Sequence, residues 1–198
     1  GRLLVPEAGT EAAMTKPIDL DDTHRLVKQR IEKVERIRDA GLDPYSNDFK
    51  PELTCAEYEQ RYGEGSAEEL AGVRTVTTVA GRLMAMRQMG KATFLRLRDR
   101  SGDLQVLLKR DRVGEGAYKH LKLVDLGDIV GCAGTPIRTR TGELTLEADG
   151  FRVITKSLRP LPDKFHGLAD VEQRYRQRYT DLVMNPEVRR IFQTRSRI

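Results

Sequence analysis

Five segments in the middle of the chain alternate apolar and polar residues, and this period of two constrains the fold more than any other feature of the sequence. The segments span residues 75–87, 92–99, 103–109, 128–138 and 143–155. Turn-forming residues separate them at Gly90, Ser101-Gly102 and Thr141-Gly142. Alternation with this period predicts β-strands that bury one face. We therefore expect a mainly β domain.

One helical segment interrupts the strands. Between the third and fourth strands, residues 115–126 place Tyr118, Leu121 and Leu126 at spacings typical of a short helix. The resulting order, strand-strand-strand-helix-strand-strand, is the one expected of an OB-fold, a five-stranded barrel that commonly binds oligonucleotides on one face. We predict such a barrel over residues 73–156.

Helices are predicted before this barrel, in an N-terminal helical segment at residues 21–72. Its first helix is indicated by apolar residues at three- and four-residue steps, namely Val27, Ile31, Val34 and Ile37. Shorter helices are expected between Leu53 and Leu70, with a break at Gly63 and Gly65. Residues 1–20 are expected to be a disordered leader or a remnant of cloning.

Helices are also predicted after the barrel, in residues 157–198. A proline-rich connector precedes a helix at 171–183, and Pro186 opens another that runs to Ile198. The last helix has no terminating signal, so we expect the sequence to stop inside a domain.

Charge and cysteine content narrow the function classes. Lys and Arg number 35 against 30 Asp and Glu, and the net charge of +5 permits nucleic acid as a partner without requiring it. Cys55 and Cys132 lie far apart and the three histidines are scattered, so we predict no disulfide framework and no metal site. This usage fits a reducing cytosol. No apolar run is long enough to cross a bilayer.

The polar faces of the strands carry residue types suited to reading bases. Phe94 shares a face with Arg96 and Arg98, while Gln105 and Glu143 are predicted on the polar faces of the third and fifth strands. A Phe ring can stack on a base, a Gln amide can donate or accept at a base edge, and a carboxylate can accept the imino proton of uracil. A carboxylate near phosphates is favourable only where a base donor meets it, so this set favours sequence-specific reading of single-stranded RNA.

The same residues admit a structural interpretation. Phe94 would then close one end of the barrel, and Glu143 would form a surface ion pair with Arg138 or Arg140. A basic face on the first helix, comprising Arg25, Lys28, Lys33 and Arg36, is either solvated or an auxiliary phosphate contact. In the helix predicted at 171–183, Tyr175 and Tyr179 are expected to pack one above the other.

Longer motifs resemble a known family. The runs RPLPDKFHGL at residues 159–168 and RYRQRY at 174–179, followed by Asp181-Leu182, resemble class II lysyl-tRNA synthetases. The runs GKATF at 90–94, LGDI at 126–129 and TRTGEL at 139–144 resemble the anticodon-binding OB domain of that family. Aspartyl and asparaginyl enzymes share the OB domain but match the connector less well.

This resemblance implies site residues for an anticodon loop. By their match to the family pattern, Phe94 is expected to stack on a base of tRNA(Lys), and Arg87, Gln105 and Glu143 to contact base edges or backbone. Lys28, Arg96 and Arg98 are predicted as auxiliary RNA contacts. No catalytic or metal-binding residue is predicted.

The resemblance also implies a parent enzyme. That enzyme would be a cytoplasmic homodimer that activates lysine with ATP and magnesium and transfers it to tRNA. Residues 186–198 resemble the start of class II motif 1, part of the family's dimer interface, whereas the motifs that hold ATP and magnesium lie further along the family's chain. We expect the present chain to bind RNA, to need no cofactor and to make no product. The alternatives are a stand-alone OB-fold RNA-binding module and a fragment of an aspartyl- or asparaginyl-type synthetase.

Overall fold

The computed structural model describes residues 25–161 and 171–198. The leader predicted at residues 1–20 and most of the RPLPDKFHGL run lie outside the described residues.

Five strands form the body of the molecule, as the alternation predicts. They are β1 (Thr77–Met89), β2 (Ala92–Arg98), β3 (Asp103–Lys109), β4 (Ile129–Arg138) and β5 (Leu144–Thr155). All pairings are antiparallel except β3 with β5, which is parallel. The order β1-β2-β3-β5-β4 closes into a barrel, because β1 also pairs with β4. The predicted OB-fold is confirmed, and each strand begins and ends within two residues of its predicted bounds.

Apolar side chains of the strands fill the barrel. Val79, Leu83, Leu97 and Val106 are among the fully buried residues that meet inside it. Such inward-facing residues occupy every second position of a strand, which is why the period of two is so strong in this sequence. Removing this apolar surface from water is the main force that holds the strands together.

The segment between β3 and β4 contains several short helical elements in place of the single helix predicted. It comprises α4 (Arg110–Val113), α5 (Glu115–His120) and a 3₁₀ turn (Leu121–Leu123). Gly114 separates α4 from α5 with a φ of 85°, a backbone conformation that favours glycine. Tyr118 of α5 is buried against the barrel, and its hydroxyl lies 2.9 Å from the Thr93 hydroxyl.

From residue 25, where the described part of the chain begins, three helices precede the barrel: α1 (Arg25–Asp39), α2 (Cys55–Tyr62) and α3 (Ala67–Ala71). Thr54 with Glu57 and Ser66 with Glu69 form capping boxes that start α2 and α3. These are the short helices expected between residues 53 and 70. Tyr58 of α2 is fully buried in the barrel core, so this segment packs as part of the OB domain.

The first helix buries Val34 and Ile37 of its predicted apolar stripe, but its basic side is only partly exposed to solvent. Lys33 was expected on the exposed basic face, but its ammonium lies 2.6 Å from Oδ1 of Asp125, so that expectation is wrong. Arg30 is buried and donates to the carbonyl oxygens of Leu126, Ser157 and Arg159 at 3.0, 2.6 and 3.2 Å. Polar contacts, together with buried Val34 and Ile37, therefore join α1 to the barrel.

The region after the barrel corrects two expectations. The helix predicted at 171–183 is two helices, α6 (Val171–Arg176) and α7 (Arg178–Met184), because Gln177 between them has a non-helical ψ of 55°. The last helix, α8 (Pro186–Arg195), ends before Ile198, with the Ser196 amide donating to the Phe192 carbonyl at 3.0 Å.

The break at Gln177 also separates the two tyrosines that were expected to pack together. Tyr175 and Tyr179 are 69% and 54% exposed. The Arg178 guanidinium lies over the Tyr175 ring, 4.7 Å from its centre. It also donates to the buried Asp181 at 2.5 Å. Binding of Arg178 to a buried carboxylate therefore replaces the expected tyrosine pair.

Candidate nucleic-acid interface

Neighbouring strands bring the predicted base-reading residues onto one outer face of the barrel. Arg87 pairs with Phe94 across β1 and β2, and Arg96 pairs with Gln105 across β2 and β3. Residues directly opposite each other in antiparallel strands share a face, and so do Phe94 and Arg96, which are two residues apart. Glu143, just before β5, completes the set through its contact with Arg96. We call these five residues the outer patch.

Phe94 is placed on this outer face and not at the end of the barrel. Its side chain is half-buried and lies outside the apolar core, whereas Leu95 beside it is fully buried inside the barrel. Arg87 opposite it is exposed. A half-buried ring on a sheet offers one face to a ligand and keeps the other against the protein, which suits stacking on a base.

Arg87 is expected at the RNA interface by resemblance alone, because the alternation in β1 does not show which face of the sheet it lies on. The structure shows why: the register of β1 shifts between Leu83 and Ala85, where a bulge interrupts the pairing with β2. Past a bulge, the inward and outward positions exchange. Arg87 thereby comes to lie on the same face as Phe94.

Glu143 forms an ion pair within the outer patch. Its Oε1 atom lies 2.6 Å from Nη2 of Arg96, and the two side chains are 39% and 41% exposed. The pairing with Arg138 or Arg140 considered for the structural interpretation is not formed. Arg138 instead donates to the carbonyl oxygens of Gly63, Gly65 and Gly142. Arg96 therefore partly neutralises the carboxylate that would face RNA.

Gln105 is held by a neighbouring strand. Its Nε2 atom lies 2.9 Å from Oγ1 of Thr145, the residue paired with it across the parallel β3–β5 contact. Thr145 is fully buried, although it lies opposite the outward-facing Gln105. Among the described residues, none donates a hydrogen bond to Oε1 of Gln105 or to Oε2 of Glu143.

A second carboxylate on the outer face, that of Glu147, is covered by cationic side chains. The alternation of β5 puts Glu147 on its outer side, but the residue is buried, because Lys109 and Arg112 both form ion pairs with it. Arg112 belongs to α4, and it also contacts Asp149 and donates to Thr135 Oγ1 at 3.0 Å. The strand pattern does not reveal that Arg112 covers Glu147, because it does not predict α4.

The predicted auxiliary contacts differ in their surroundings. Arg98 is engaged by Asp103, with Nε and Nη2 lying 2.5 and 2.7 Å from the two carboxylate oxygens. These bonds hold the pKa of Asp103 below its usual range. Arg96 is paired with Glu143, whereas Lys28 is exposed on α1 and has no ion pair with a described residue.

The β1–β2 hairpin lies beside Phe94 and exposes both apolar and cationic side chains. Met86 and Met89 are 41% and 53% exposed, and Arg87 and Lys91 are exposed as well. Gly90 makes the turn with a φ of 59°. The loop in this position of OB-folds commonly contacts oligonucleotides, and flexible Met side chains next to cations suit a surface that adapts to a ligand.

Comparisons with known proteins agree with the OB-fold. A family model described as an OB-fold nucleic acid binding domain matches residues 77–154, which span β1 to the penultimate residue of β5. In the described parts of the chain, the helices are too short or too polar to cross a membrane.

Curated relatives match nearly the whole chain. The lysine–tRNA ligase of Anaeromyxobacter sp. (strain K) is 52% identical over 181 residues, which are 91% of this chain and 35% of the relative. That of Dechloromonas aromatica is 49% identical over 189 residues, 96% of this chain and 37% of the relative. That of Listeria welshimeri is 48% identical over 169 residues, 85% of this chain and 34% of the relative.

The chain spans about a third of the length of these relatives. It is thus a homologue of the lysine–tRNA ligases over nine-tenths of its length, and its barrel is a member of the OB-fold nucleic acid binding domain family.

Proposed function

We propose that this chain is the anticodon-binding portion of a lysine–tRNA ligase and that its outer patch reads uridine in the anticodon loop of tRNA(Lys). The observation that carries the proposal is the outer patch itself. It places the half-buried ring of Phe94 on the same sheet face as the accessible acceptor oxygens of Gln105 and Glu143. A stacking surface next to hydrogen-bond acceptors is how proteins read unstacked RNA bases.

The charges around the outer patch support RNA as the ligand. Arg87 and Lys91 on the exposed hairpin are positioned to meet phosphates beside the stacked base. Arg96 offsets the repulsion that Glu143 would otherwise exert on the same phosphates. A carboxylate held in this way can accept a hydrogen bond from a base edge without excluding the RNA backbone.

The role of the parent protein is part of the same proposal. We infer that it joins lysine to tRNA through an adenylate formed from ATP with magnesium, and that it acts as a cytoplasmic homodimer. The support is the similarity to lysine–tRNA ligases. No residue of this chain is assigned a catalytic step. We therefore expect the chain to show only background ATP–pyrophosphate exchange in the presence of lysine.

The proposal is tested by titrating the chain with a lysine-type anticodon stem-loop. A second stem-loop carries cytidine in place of the central uridine, and both are measured at two salt concentrations. We expect the uridine loop to bind about tenfold more tightly at both salts, since a base-edge contact contributes on the order of 1–3 kcal/mol. Equal affinities with a steep salt dependence would contradict the proposal. Tighter binding of an aspartate-type loop would instead assign the chain to the aspartyl and asparaginyl group.

A further inference from the structure

The amide of Gln105 can present either of two chemically opposite groups to a base. One orientation of a carboxamide offers NH₂ donors and the other offers a carbonyl acceptor. In the structure, Nε2 points to the Thr145 hydroxyl at 2.9 Å, which turns Oε1 toward the accessible side. The choice between these orientations decides which bases the outer patch accepts.

The surroundings of Thr145 favour one of these orientations. Its hydroxyl has a single proton, and its Oγ1 atom lies 3.2 Å from the carbonyl oxygen of Glu143, which can only accept. If the hydroxyl proton goes to that carbonyl, Oγ1 is left to accept from Gln105, and every group is satisfied. With the Gln105 amide reversed, the hydroxyl proton would be drawn to Gln105. Oγ1 would then face the Glu143 carbonyl oxygen, which also accepts from the Thr139 amide at 3.0 Å, across 3.2 Å with no proton between the two oxygens. Because Thr145 is fully buried, water is not available to separate these two oxygens.

We propose that Thr145 is a positioning residue that fixes the polarity of the Gln105 amide, so that the outer patch offers acceptors and no amide donor to a base. This inference rests on the proposed function and deepens it. The centre of the Watson–Crick edge is an N–H donor in uridine and a lone pair in cytidine. A fixed acceptor therefore favours uridine and repels cytidine, whereas a freely rotating amide serves both.

The inference is tested by Thr145→Val, which keeps the shape of the side chain and removes the hydroxyl, with Thr145→Ser as the matched control. The measurement is the ratio of dissociation constants for the cytidine and uridine stem-loops. We expect wild type and Thr145→Ser to share one ratio. In Thr145→Val we expect the ratio to fall about fivefold, a change equivalent to one hydrogen bond, chiefly through tighter binding of the cytidine loop.

Two results would overturn the inference. A folded Thr145→Val protein with the wild-type ratio would show that the hydroxyl does not set the preference. Equal weakening for both loops would mean that Thr145 acts only as a structural residue. Thermal unfolding of each variant establishes that the barrel is intact.

A measurement without RNA separates this inference from the proposed function. The side-chain NH₂ protons of Gln105 should exchange with solvent slowly in wild type and Thr145→Ser, and faster in Thr145→Val. If wild type fails to discriminate between the loops while exchange follows this pattern, the proposed reading of uridine is wrong and the role of Thr145 in holding the amide stands. Identical exchange in all three proteins would overturn that role.

Discussion

Phe94 and Leu95 are neighbours in β2, yet they have opposite environments. Leu95 is 1% exposed inside the barrel, and Phe94 is half-buried outside it. The alternation of a strand is sufficient to predict this difference, because successive side chains point to opposite faces. The outward position of Gln105 follows from the same rule.

The first prediction concerns Phe94. We expect Phe94→Ala to weaken binding of the anticodon stem-loop by about 1–3 kcal/mol, because the mutation removes the surface on which a base would stack. The free energy of unfolding should change little, since the side chain lies outside the apolar core. Phe94→Tyr, which retains the ring, is the control. Equal affinities of wild type and Phe94→Ala would remove Phe94 from the interface.

The partners of these residues were not predictable from the strand pattern. Arg96 contacts Glu143 across 47 positions of sequence, and Gln105 contacts Thr145 across 40. Both contacts depend on β3 lying beside β5 in parallel, with the helices and β4 between them in the chain. Local periodicity gives the face of a residue, but it does not give the strand that comes to lie next to it.

At the scale of the element, a buried group of charges holds α1 against the barrel. Lys156 is fully buried, and its ammonium donates to Asp125, Asp128 and the carbonyl oxygen of Leu123 at 2.7, 2.6 and 2.8 Å. Lys33 of α1 reaches the other oxygen of Asp125. Asp125 therefore links a helix, the loop before β4 and the end of β5.

Asp125 gives this link a defined pH dependence. Burial acts to raise the pKa of its carboxyl, but hydrogen bonds from Lys156 and Lys33 outweigh burial and hold the pKa below the usual value. A carboxyl with a lowered pKa in the folded state stabilises the protein at pH values above its unfolded pKa, which is about 4. This stabilisation is lost as the pH falls below that value toward the folded pKa.

The second prediction follows from the lowered pKa of Asp125. We expect Asp125→Asn to lower the free energy of unfolding at pH 7 by about 2 kcal/mol, through the loss of hydrogen bonds to charged groups. The variant should also lose less stability than wild type between about pH 5 and pH 3. Urea unfolding across this range measures both effects, with Asp111→Asn at an exposed site as the control. Parallel pH profiles for wild type and Asp125→Asn would contradict the role given to this carboxylate.

At the scale of the whole molecule, the chain has a net charge of +5. Its cationic side chains differ in whether a carboxylate pairs with them. Arg98 and Arg112 are engaged by carboxylates, whereas Lys28 is exposed on α1. A cation that already has a carboxylate partner displaces fewer counterions when RNA binds. Lys28 is therefore the stronger candidate for a general phosphate contact.

The third prediction separates general affinity from base reading. If α1 touches the RNA backbone, Lys28→Ala should weaken binding of the uridine and cytidine loops by the same factor and reduce the salt slope by about one. Lys28→Arg, which keeps the charge, should behave as wild type. An unchanged salt slope would show that the exposed face of α1 is only solvated.

The amino-acid sequence by itself determined the barrel, the order of its strands and the outward side of Phe94, Gln105 and Glu143. The outward side follows from the burial of alternate side chains along a strand, which is a local pattern. The barrel follows from the order of strands and helix along the chain, which is that of an OB-fold. The tertiary structure alone decided that Arg96 neutralises Glu143, that Thr145 holds Gln105, and that Lys33 turns inward to Asp125. Those contacts join segments far apart in the chain. Their energies depend on distance and desolvation in the folded protein, which no local pattern records.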